Sequence, residues 1–356
     1  MAARALMDML PPLTAGTWFS VWTVEPVGTL IAAVLAVGYL LVLLAHRHSG
    51  MRWPALHSWS FAAGVVLLVV SVDSAIGAYS HALFWMHMIQ HLLLITVVPA
   101  LLVMGHPIRL LSESGHAGSR VVEALRRNPI MSVLSNPVVA LACYTVVLVG
   151  THLTGYMQAM TQHMWLHSLE VALYLGSGYL FLLTLLVHEP IRWDPPYPAR
   201  LGLLFVSMIV DAGVGIALMM ADTDPFPGFA AMRDGWGPAA LDDIHIGGAV
   251  MWVGGDGLMM AAIILLAARW ITDTERQNDM GRILESVRRH TLVGAAFDGD
   301  EDSGPDAGGG DDASGGRPPA TGRGPIDIDE DERIYQAYNR MLARLAESEE
   351  RTDPPV

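Results

Sequence analysis

The chain has 356 residues, of which 52% are hydrophobic and 16% are charged. Soluble globular domains carry about 25% charged residues, so this composition excludes an ordinary soluble protein. All 21 basic residues are arginine, which excludes functions that need a lysine amine, such as a retinal Schiff base or covalently bound pyridoxal phosphate. The lone cysteine, Cys143, excludes an internal disulfide and a CxxC metal clamp.

Seven segments approach the length of about 20 mostly apolar residues that a transmembrane helix needs. In chain order they are Val27–Ala45, Trp59–Ala78, Ala82–Met104, Pro137–His152, Trp165–His188, Leu201–Ala221 and Ile244–Ala268. The fourth is the shortest. We therefore predict an all-α fold, a polytopic transmembrane bundle of seven helices, with residues 27–270 as the transmembrane domain.

Arginines alternate between the loops of this predicted bundle. The loops after the first, third, fifth and seventh segments carry several arginines each, and the loops between them carry none or one. Positively charged loops stay on the cytoplasmic side of a membrane. The pattern predicts an N-terminus outside, with residues 1–26 as an extracytoplasmic segment, and a cytoplasmic C-terminus, with residues 271–356 as a cytoplasmic tail.

The acidic charge of the chain lies in this tail. The whole chain has a net charge of −14, and residues 298–356 account for −10 of it. Gly, Pro, Asp and Ser dominate residues 298–325, which predicts disorder. Residues 330–348 then carry a single apolar stripe, which predicts an amphipathic helix, either solvated or docked on a partner or the bilayer surface.

The third segment contains a pair of histidines, His87 and His91, with Met88 between them. The four-residue spacing places both imidazoles on one helical face, with Cβ atoms about 5–6 Å apart. Ionisable side chains inside a bilayer are costly, so such residues are candidates for a functional site. Imidazole and thioether are both copper ligands, and thioether favours Cu(I).

Other histidines lie at the same predicted depth, near the outer surface. His163 and His167 repeat the four-residue spacing at the start of the fifth segment, His152 ends the fourth, and His245 opens the seventh. Two such pairs on separate helices favour a metal or haem site over isolated polar packing. The candidate metal ligands are His87, Met88, His91, His152, His163, His167 and His245. The histidines near the inner side are scattered and predict no common site.

Three functions remain open at this point. The first is binding of copper that arrives from outside. The second is a b-type haem protein in electron transfer, in which His91 and His167 ligate the iron. The third is a copper or proton transporter, which would need ligands that continue to the inner face, where the sequence shows no matching histidine and methionine cluster.

Five carboxylates inside or beside the predicted helices belong to the candidate site or its support: Asp73, Glu170, Asp211, Asp243 and Asp256. Glu170 or Asp243 could orient a ligating imidazole through its second ring nitrogen. For Asp73, Asp211 and Asp256 we favour hydrogen bonds between packed helices over an ion path.

Several motifs of this chain resemble the CtaG-type cytochrome c oxidase assembly factors, a family of polytopic bacterial membrane proteins. The similar stretches are His87-Met88-Ile89-Gln90-His91-Leu92-Leu93, Pro99 through Gly105-His106-Pro107, Trp165-Leu166-His167-Ser168-Leu169-Glu170, and Gly247-Gly248-Ala249-Val250-Met251-Trp252-Val253-Gly254-Gly255 with Ala268-Arg269-Trp270. They cover about residues 25–272. The family pattern often has a second histidine directly after the glutamate, where this chain has Val171, which weakens a ligand set built wholly on the fifth segment.

The resemblance implies a role in maturing a haem–copper oxidase, by supplying copper on the outer side of a bacterial plasma membrane. By motif it assigns His87, His91 and His167 to the metal site. The implied partners are cytochrome c oxidase subunits, an extracytoplasmic copper donor and the lipid bilayer, and no nucleic acid. No nucleophile–base pair and no phosphate-binding loop is present, so we expect no enzymatic activity.

Overall fold

The computed structural model describes residues 10–48, 50–233 and 235–274. Their regular secondary structure is entirely helical, without strands. The chain divides into two compact units, Met1–Trp270 and Ile271–Val356, and only residues 271–274 of the second are described. The predicted disorder over residues 298–325 and the predicted helix over residues 330–348 lie outside the described residues.

Six helices in the described ranges are long and apolar enough to cross a membrane. With a seventh, shorter apolar helix we label them α1 to α7: α1 Pro26–His48, α2 Ala55–Tyr79, α3 Phe84–Glu113, α4 Pro137–His152, α5 Met164–Leu186, α6 Tyr197–Met219 and α7 Ala240–Thr274. α4 has only 16 residues, fewer than the about 20 that a perpendicular span needs. A multi-pass membrane protein is therefore supported, while seven spans and their orientation stay predictions.

Short helices occupy the N-terminal segment and the connections between the long helices. They are Ala15–Ser20 before α1, His116–Arg127 and Pro129–Leu134 between α3 and α4, Tyr156–Met160 between α4 and α5, and Pro227–Ala231 between α6 and α7. Asn128 caps the start of Pro129–Leu134, and Asn136 caps the start of α4. Each side chain accepts hydrogen bonds from backbone N–H groups of the first helical turn.

Three of the long helices are irregular. α2 pauses at Ser74, whose side chain accepts a hydrogen bond from the backbone of Ile76 and restarts the helix. α3 changes from α to π geometry over Leu93–Val97, and α7 does so over Val250–Gly254. π-helical turns are rare and occur often at functional sites. The π segment of α3 begins two residues after His91.

Glycines allow two close helix contacts in the centre of the bundle. A Cβ atom added at Gly178 of α5 would lie 2.0 Å from the carbonyl oxygen of Ile95, in the π segment of α3. Gly215 of α6 and Gly248 of α7 touch each other's backbone in the same way. Small residues that let backbones approach are the usual means of packing helices inside membranes.

The contact at Gly178 gives a first prediction. Gly178→Ala should lower the free energy of unfolding by about 1–3 kcal/mol, because the added methyl group has no room without moving α3 or α5. Gly176→Ala is the matched control, since a Cβ atom there meets nothing within 4 Å. Thermal unfolding in detergent measures both. Equal stability of Gly178→Ala and the parent would contradict the packing described here.

Candidate metal centre

The structure brings His87 of α3 together with His167 and Glu170 of α5. His167 and Glu170 are three residues apart and so share one face of their helix. One potential ligand atom from each of the three residues lies within 4.8 Å of the others. All three side chains are buried, and Nε2 of His87 is 3.4 Å from Oε1 of Glu170. We call His87, His167 and Glu170 the His87 triad.

Neighbouring side chains hold two members of the triad in place. The hydroxyl of Tyr174 donates to Oε1 of Glu170 at 2.7 Å. Gln90 donates its amide nitrogen to the carbonyl oxygen of Ser71, and its amide oxygen lies 3.3 Å from Nε2 of His167. His167 therefore donates from Nε2 and keeps a lone pair on Nδ1. Support of this kind fixes ring orientation in metal sites.

His87 is held less firmly, since its closest polar contact is the 3.4 Å approach of Nε2 to Glu170 and its buried Nδ1 has no hydrogen-bond partner among the described residues. Nearly all buried polar groups in native proteins have partners, and an exception calls for an explanation such as an ion. The donors of the triad are two imidazoles and one carboxylate. This donor set suits a divalent or monovalent transition metal.

His91 and His152 form a second group beside the triad. Their ring centroids are 4.9 Å apart, and the ring of His91 also packs at 4.4 Å against Tyr174. Nδ1 of His152 lies 2.9 Å from the carbonyl oxygen of Leu148 and donates to it, which leaves Nε2 without a partner. Both ring nitrogens of His91 also lack hydrogen-bond partners within residues 10–48, 50–233 and 235–274. We call these two residues the His91–His152 pair.

A cavity beside the N-terminal segment reaches His167, one member of the triad. It has a volume of about 650 Å³, and its lining includes Trp22, Glu25, His81 and His167. The ring of His81 lies 4.2 Å from the ring of His167, centroid to centroid. Burial lowers the pKa of His81 well below its usual range, and the neighbouring His167 and His87 act in the same direction, so the ring is neutral. We call this space the entrance cavity.

The structure does not bring all predicted ligands into this group. His163 is exposed and precedes the first residue of α5, so the four-residue helical spacing to His167 does not apply. Nε2 of His245 lies 2.9 Å from the carbonyl oxygen of Ala221 and ties α7 to the end of α6. Met88 is buried next to Gly247 of α7, where an added Cβ atom would lie 3.2 Å from its Cγ.

Three residues that contact the triad were not predicted as part of the site: His81, Gln90 and Tyr174. Tyr174 follows Glu170 by four residues, so its contact was visible in the helical spacing. Gln90 lies between the two histidines of α3 but contacts α2 and α5. His81 lies in the turn between α2 and α3, where no periodic pattern applies.

Asp243 of α7 supports the start of α3 and does not contact an imidazole. Its two carboxylate oxygens accept hydrogen bonds from the backbone N–H groups of Phe84 and Trp85, at 3.0 and 3.1 Å. The guanidinium of Arg233 lies 3.2 Å from the same carboxylate, and both side chains are buried. Helix N-termini leave unsatisfied N–H groups and favour negative charge, so Asp243 acts as a cap supplied by another helix.

Two of the other carboxylates join helices through hydrogen bonds. Asp73 accepts from the backbone of Glu25 at 2.8 Å and from the hydroxyl of Thr29, and so holds the start of α1 against the end of the first part of α2. Asp211 of α6 accepts from the hydroxyl of Tyr144 of α4 at 2.9 Å. The second oxygen of Asp211 and one oxygen of Asp256 have no hydrogen-bond partner in the part of the chain that the structure describes.

Histidines also meet at the opposite end of these helices, which the sequence did not predict. The rings of His57 and His106 lie 4.5 Å apart, and Nδ1 of His106 lies 3.0 Å from Oε1 of Glu189. His46 is buried beside this group. Its ring and that of His57 both pack against the ring of Trp53. His106 adopts a left-handed conformation, with φ of 49°, between two helical parts of α3.

The chain resembles proteins of known family. Residues 37–273, more than half of the chain, match the model of the cytochrome c oxidase caa3 assembly factor family. Uncharacterized proteins of Mycobacterium bovis and Mycobacterium tuberculosis are 28% identical over 278 residues, and one of Mycobacterium leprae is 29% identical over 268 residues. The matches cover 76%, 76% and 73% of this chain but only 42%, 42% and 41% of the relatives, so the chain spans about two fifths of their length.

No solved structure matches the chain. The family match extends from within α1 almost to the end of α7 and includes every residue of the His87 triad and the His91–His152 pair. The resemblance found in the sequence motifs is thereby confirmed. The chain belongs to the cytochrome c oxidase caa3 assembly factor family.

Proposed function

We propose that the protein binds copper at the His87 triad and supplies it to cytochrome c oxidase during assembly. The observation that supports this most strongly is the group of three buried ligands from two helices, in which Nε2 of His87 faces the carboxylate of Glu170 and Nδ1 has no hydrogen-bond partner among the described residues. Membership of the family supports oxidase assembly as the process. The donor atoms of the triad support copper as the ion that is delivered.

The donor set favours copper over several other metals. The group contains two imidazoles and one carboxylate and no thiolate, and imidazole binds both Cu(I) and Cu(II). Among divalent first-row metals, nitrogen and oxygen sites bind Cu(II) most strongly. Zinc also accepts two histidines and a glutamate, so a competition experiment with Zn²⁺ belongs to the test.

The test is copper binding by the purified full chain in detergent. We expect the parent to retain copper after desalting, and to retain it against an equal amount of Zn²⁺. His87→Ala combined with His167→Ala should lose the copper bound by the triad, and His163→Ala, which changes an exposed histidine, should not. Parent protein without copper, or a double variant that keeps the full amount, would refute the proposed site.

The entrance cavity gives copper a route to the triad. His81 faces it and contacts His167, so we expect His81 to accept the ion before the triad does. His81→Ala should load copper more slowly than the parent while reaching the same final amount, because the imidazole that lines the cavity beside His167 is lost. Stopped-flow transfer from a coloured Cu(I) chelator measures the rate. Equal rates would contradict the route, and His163→Ala is again the control.

The haem alternative is less well supported by the packing. The ring of His91 is in contact with His152 and Tyr174, and His167 is in contact with His81. A porphyrin between His91 and His167 would have to displace these rings. An absorption spectrum of the purified protein decides: a Soret band that sharpens on reduction would establish a b-type haem protein, and a colourless preparation would exclude it.

A copper transporter is favoured by one observation, the group of His57, His106 and Glu189 at the opposite end of the helices. Transport would require ions to pass from the His87 triad to that group, past the unpartnered oxygens of Asp211 and Asp256. Copper uptake into proteoliposomes above the level of protein-free vesicles would support transport. Uptake at that background level would exclude it.

We further propose the cellular setting of this function. The protein acts without catalysing a reaction, as a multi-pass protein of the bacterial plasma membrane whose triad lies near the outer side. It receives copper from an extracytoplasmic donor and contacts cytochrome c oxidase subunits. The arginine-rich loops after α1, α3 and α5 support this orientation.

A further inference from the structure

The His91–His152 pair contains more free ligand atoms than helix packing requires. Three buried ring nitrogens have no hydrogen-bond partner among the residues that the structure describes: both nitrogens of His91, and Nε2 of His152. A histidine buried for structural reasons usually uses its ring nitrogens in hydrogen bonds. His152 does so at Nδ1, and its other nitrogen remains free beside the ring of His91.

The pair is separated from the His87 triad. His91 follows His87 by one helical turn, which moves it about 6 Å along the axis of α3. His87 lies beside Glu170 of α5, whereas His91 packs against His152 of α4. Neither His91 nor His152 belongs to the group of ligand atoms that lie within 4.8 Å of one another.

Tyr174 stands between the two groups. Its hydroxyl donates to Glu170, and its ring packs at 4.4 Å against His91. The same hydroxyl lies 2.9 Å from that of Thr151, which in turn lies 3.0 Å from Nδ1 of His152. These contacts link the two groups while keeping their ligand atoms apart.

The ligand atoms of the pair lie outside the close group formed by the triad, so we assign the pair to a separate ion. The triad offers two imidazoles and a carboxylate, and the pair adds two further imidazoles. The pair contains no anionic ligand, and burying a charge without a compensating anion costs more for a divalent than for a monovalent ion. Imidazole is an accepted ligand of Cu(I). The pair is therefore suited to a cuprous ion.

We propose that His91 and His152 form a second copper site, so that the chain holds two copper ions, one at the triad and a cuprous ion at the pair. This inference rests on the proposed function, since it assigns a second position to the same cargo. Two adjacent positions would allow the protein to carry copper as a pair of ions and to transfer one while retaining the other.

The experiment counts copper ions per chain. The purified full chain in detergent is loaded with Cu(I) under anaerobic conditions, desalted and analysed for copper and protein. We expect two ions in the parent, one in His91→Gln with His152→Gln, one in His87→Ala with His167→Ala, and none when all four changes are combined. His163→Ala should hold two. Circular dichroism confirms that each variant is as helical as the parent.

A second set of substitutions guards against loss of folding. His91→Leu with His152→Leu fills the same space without ligand atoms, and it should also hold one ion. A parent with one ion that both pair variants keep would overturn the second site and leave the proposed function intact. A parent with one ion that is lost both in the pair variants and in His87→Ala with His167→Ala would also overturn the second site, because it would show that the pair and the triad share one ion. A parent without copper would refute the proposed function itself.

Discussion

Asp243→Ala is expected to lower the free energy of unfolding by about 3–5 kcal/mol, which is the usual effect of removing one partner from a buried ion pair. The substitution leaves the guanidinium of Arg233 buried without its counter-charge. It also removes the hydrogen-bond acceptor for the first two N–H groups of α3. Both effects act on the end of the helix that carries His87.

The neighbouring Asp242 gives a matched control, because it has the same side chain on the same helix but is exposed. Asp242→Ala should change stability by less than about 0.5 kcal/mol, as is usual for a surface position. Thermal unfolding in detergent measures both variants. We also expect Asp243→Ala to weaken copper binding, since α3 is no longer fixed at its start. Equal stability of the two variants would show that Asp243 does not stabilise the N-terminus of α3.

Loss of the triad is expected to abolish the function in cells. A strain that lacks the protein should assemble an oxidase with little copper and little activity, and the parent gene should restore both. A gene carrying His87→Ala and His167→Ala should restore neither, because removing two ligands exceeds the 10–100-fold loss in affinity that follows from changing a supporting residue. Copper content and oxygen consumption of isolated membranes measure the effect.

A matched gene carrying His163→Ala tests whether the effect belongs to the triad. His163 is the exposed histidine next to α5 and should restore both readouts fully. The amounts of variant protein in the membrane must be equal for the comparison. Full oxidase activity with the His87 and His167 variant would separate the triad from oxidase assembly.

The long apolar helices were predictable because bilayer thickness dictates their length. Their detailed shape was not. The predicted end of the third segment at Met104 coincides with the break inside α3, and the second part, Pro107–Glu113, which follows the left-handed His106, was not predicted. The π turns at Leu93–Val97 and Val250–Gly254 also have no counterpart in hydrophobic periodicity. They depend on how neighbouring helices pack. One such contact is the close approach of Gly178 in α5 to the backbone of Ile95 in the first π segment.

In the candidate site, too, the spacing along each helix was predictable and the contacts between helices were not. Spacing predicted that His87 and His91 share a face of one helix, yet the two rings have different neighbours, Glu170 for His87 and His152 for His91. The rotation of each helix about its axis determines which neighbour each ring meets. The spacing of residues within one helix carries no information about this rotation. The prediction that His163 pairs with His167 on one helical face is not met, since α5 begins at Met164.

The partners of Asp243 could not be predicted from its neighbours in the sequence. Its position beside His245 suggested support for an imidazole, but its partners are Arg233 in the preceding loop and the backbone of α3. A carboxylate 159 residues away along the chain thus fixes the first turn of the histidine-bearing helix. Such long-range caps follow from the packing of α7 against α3.

Copper binding at the triad can be measured by X-ray absorption of the purified, copper-loaded parent. We expect a copper edge whose first shell contains only nitrogen and oxygen, with the outer scattering that is typical of imidazole, because the triad and the pair contain histidine and glutamate and no sulfur ligand. A shell of sulfur scatterers would assign the copper to methionine or cysteine instead. That result, or the absence of a copper edge, would refute copper binding by the triad.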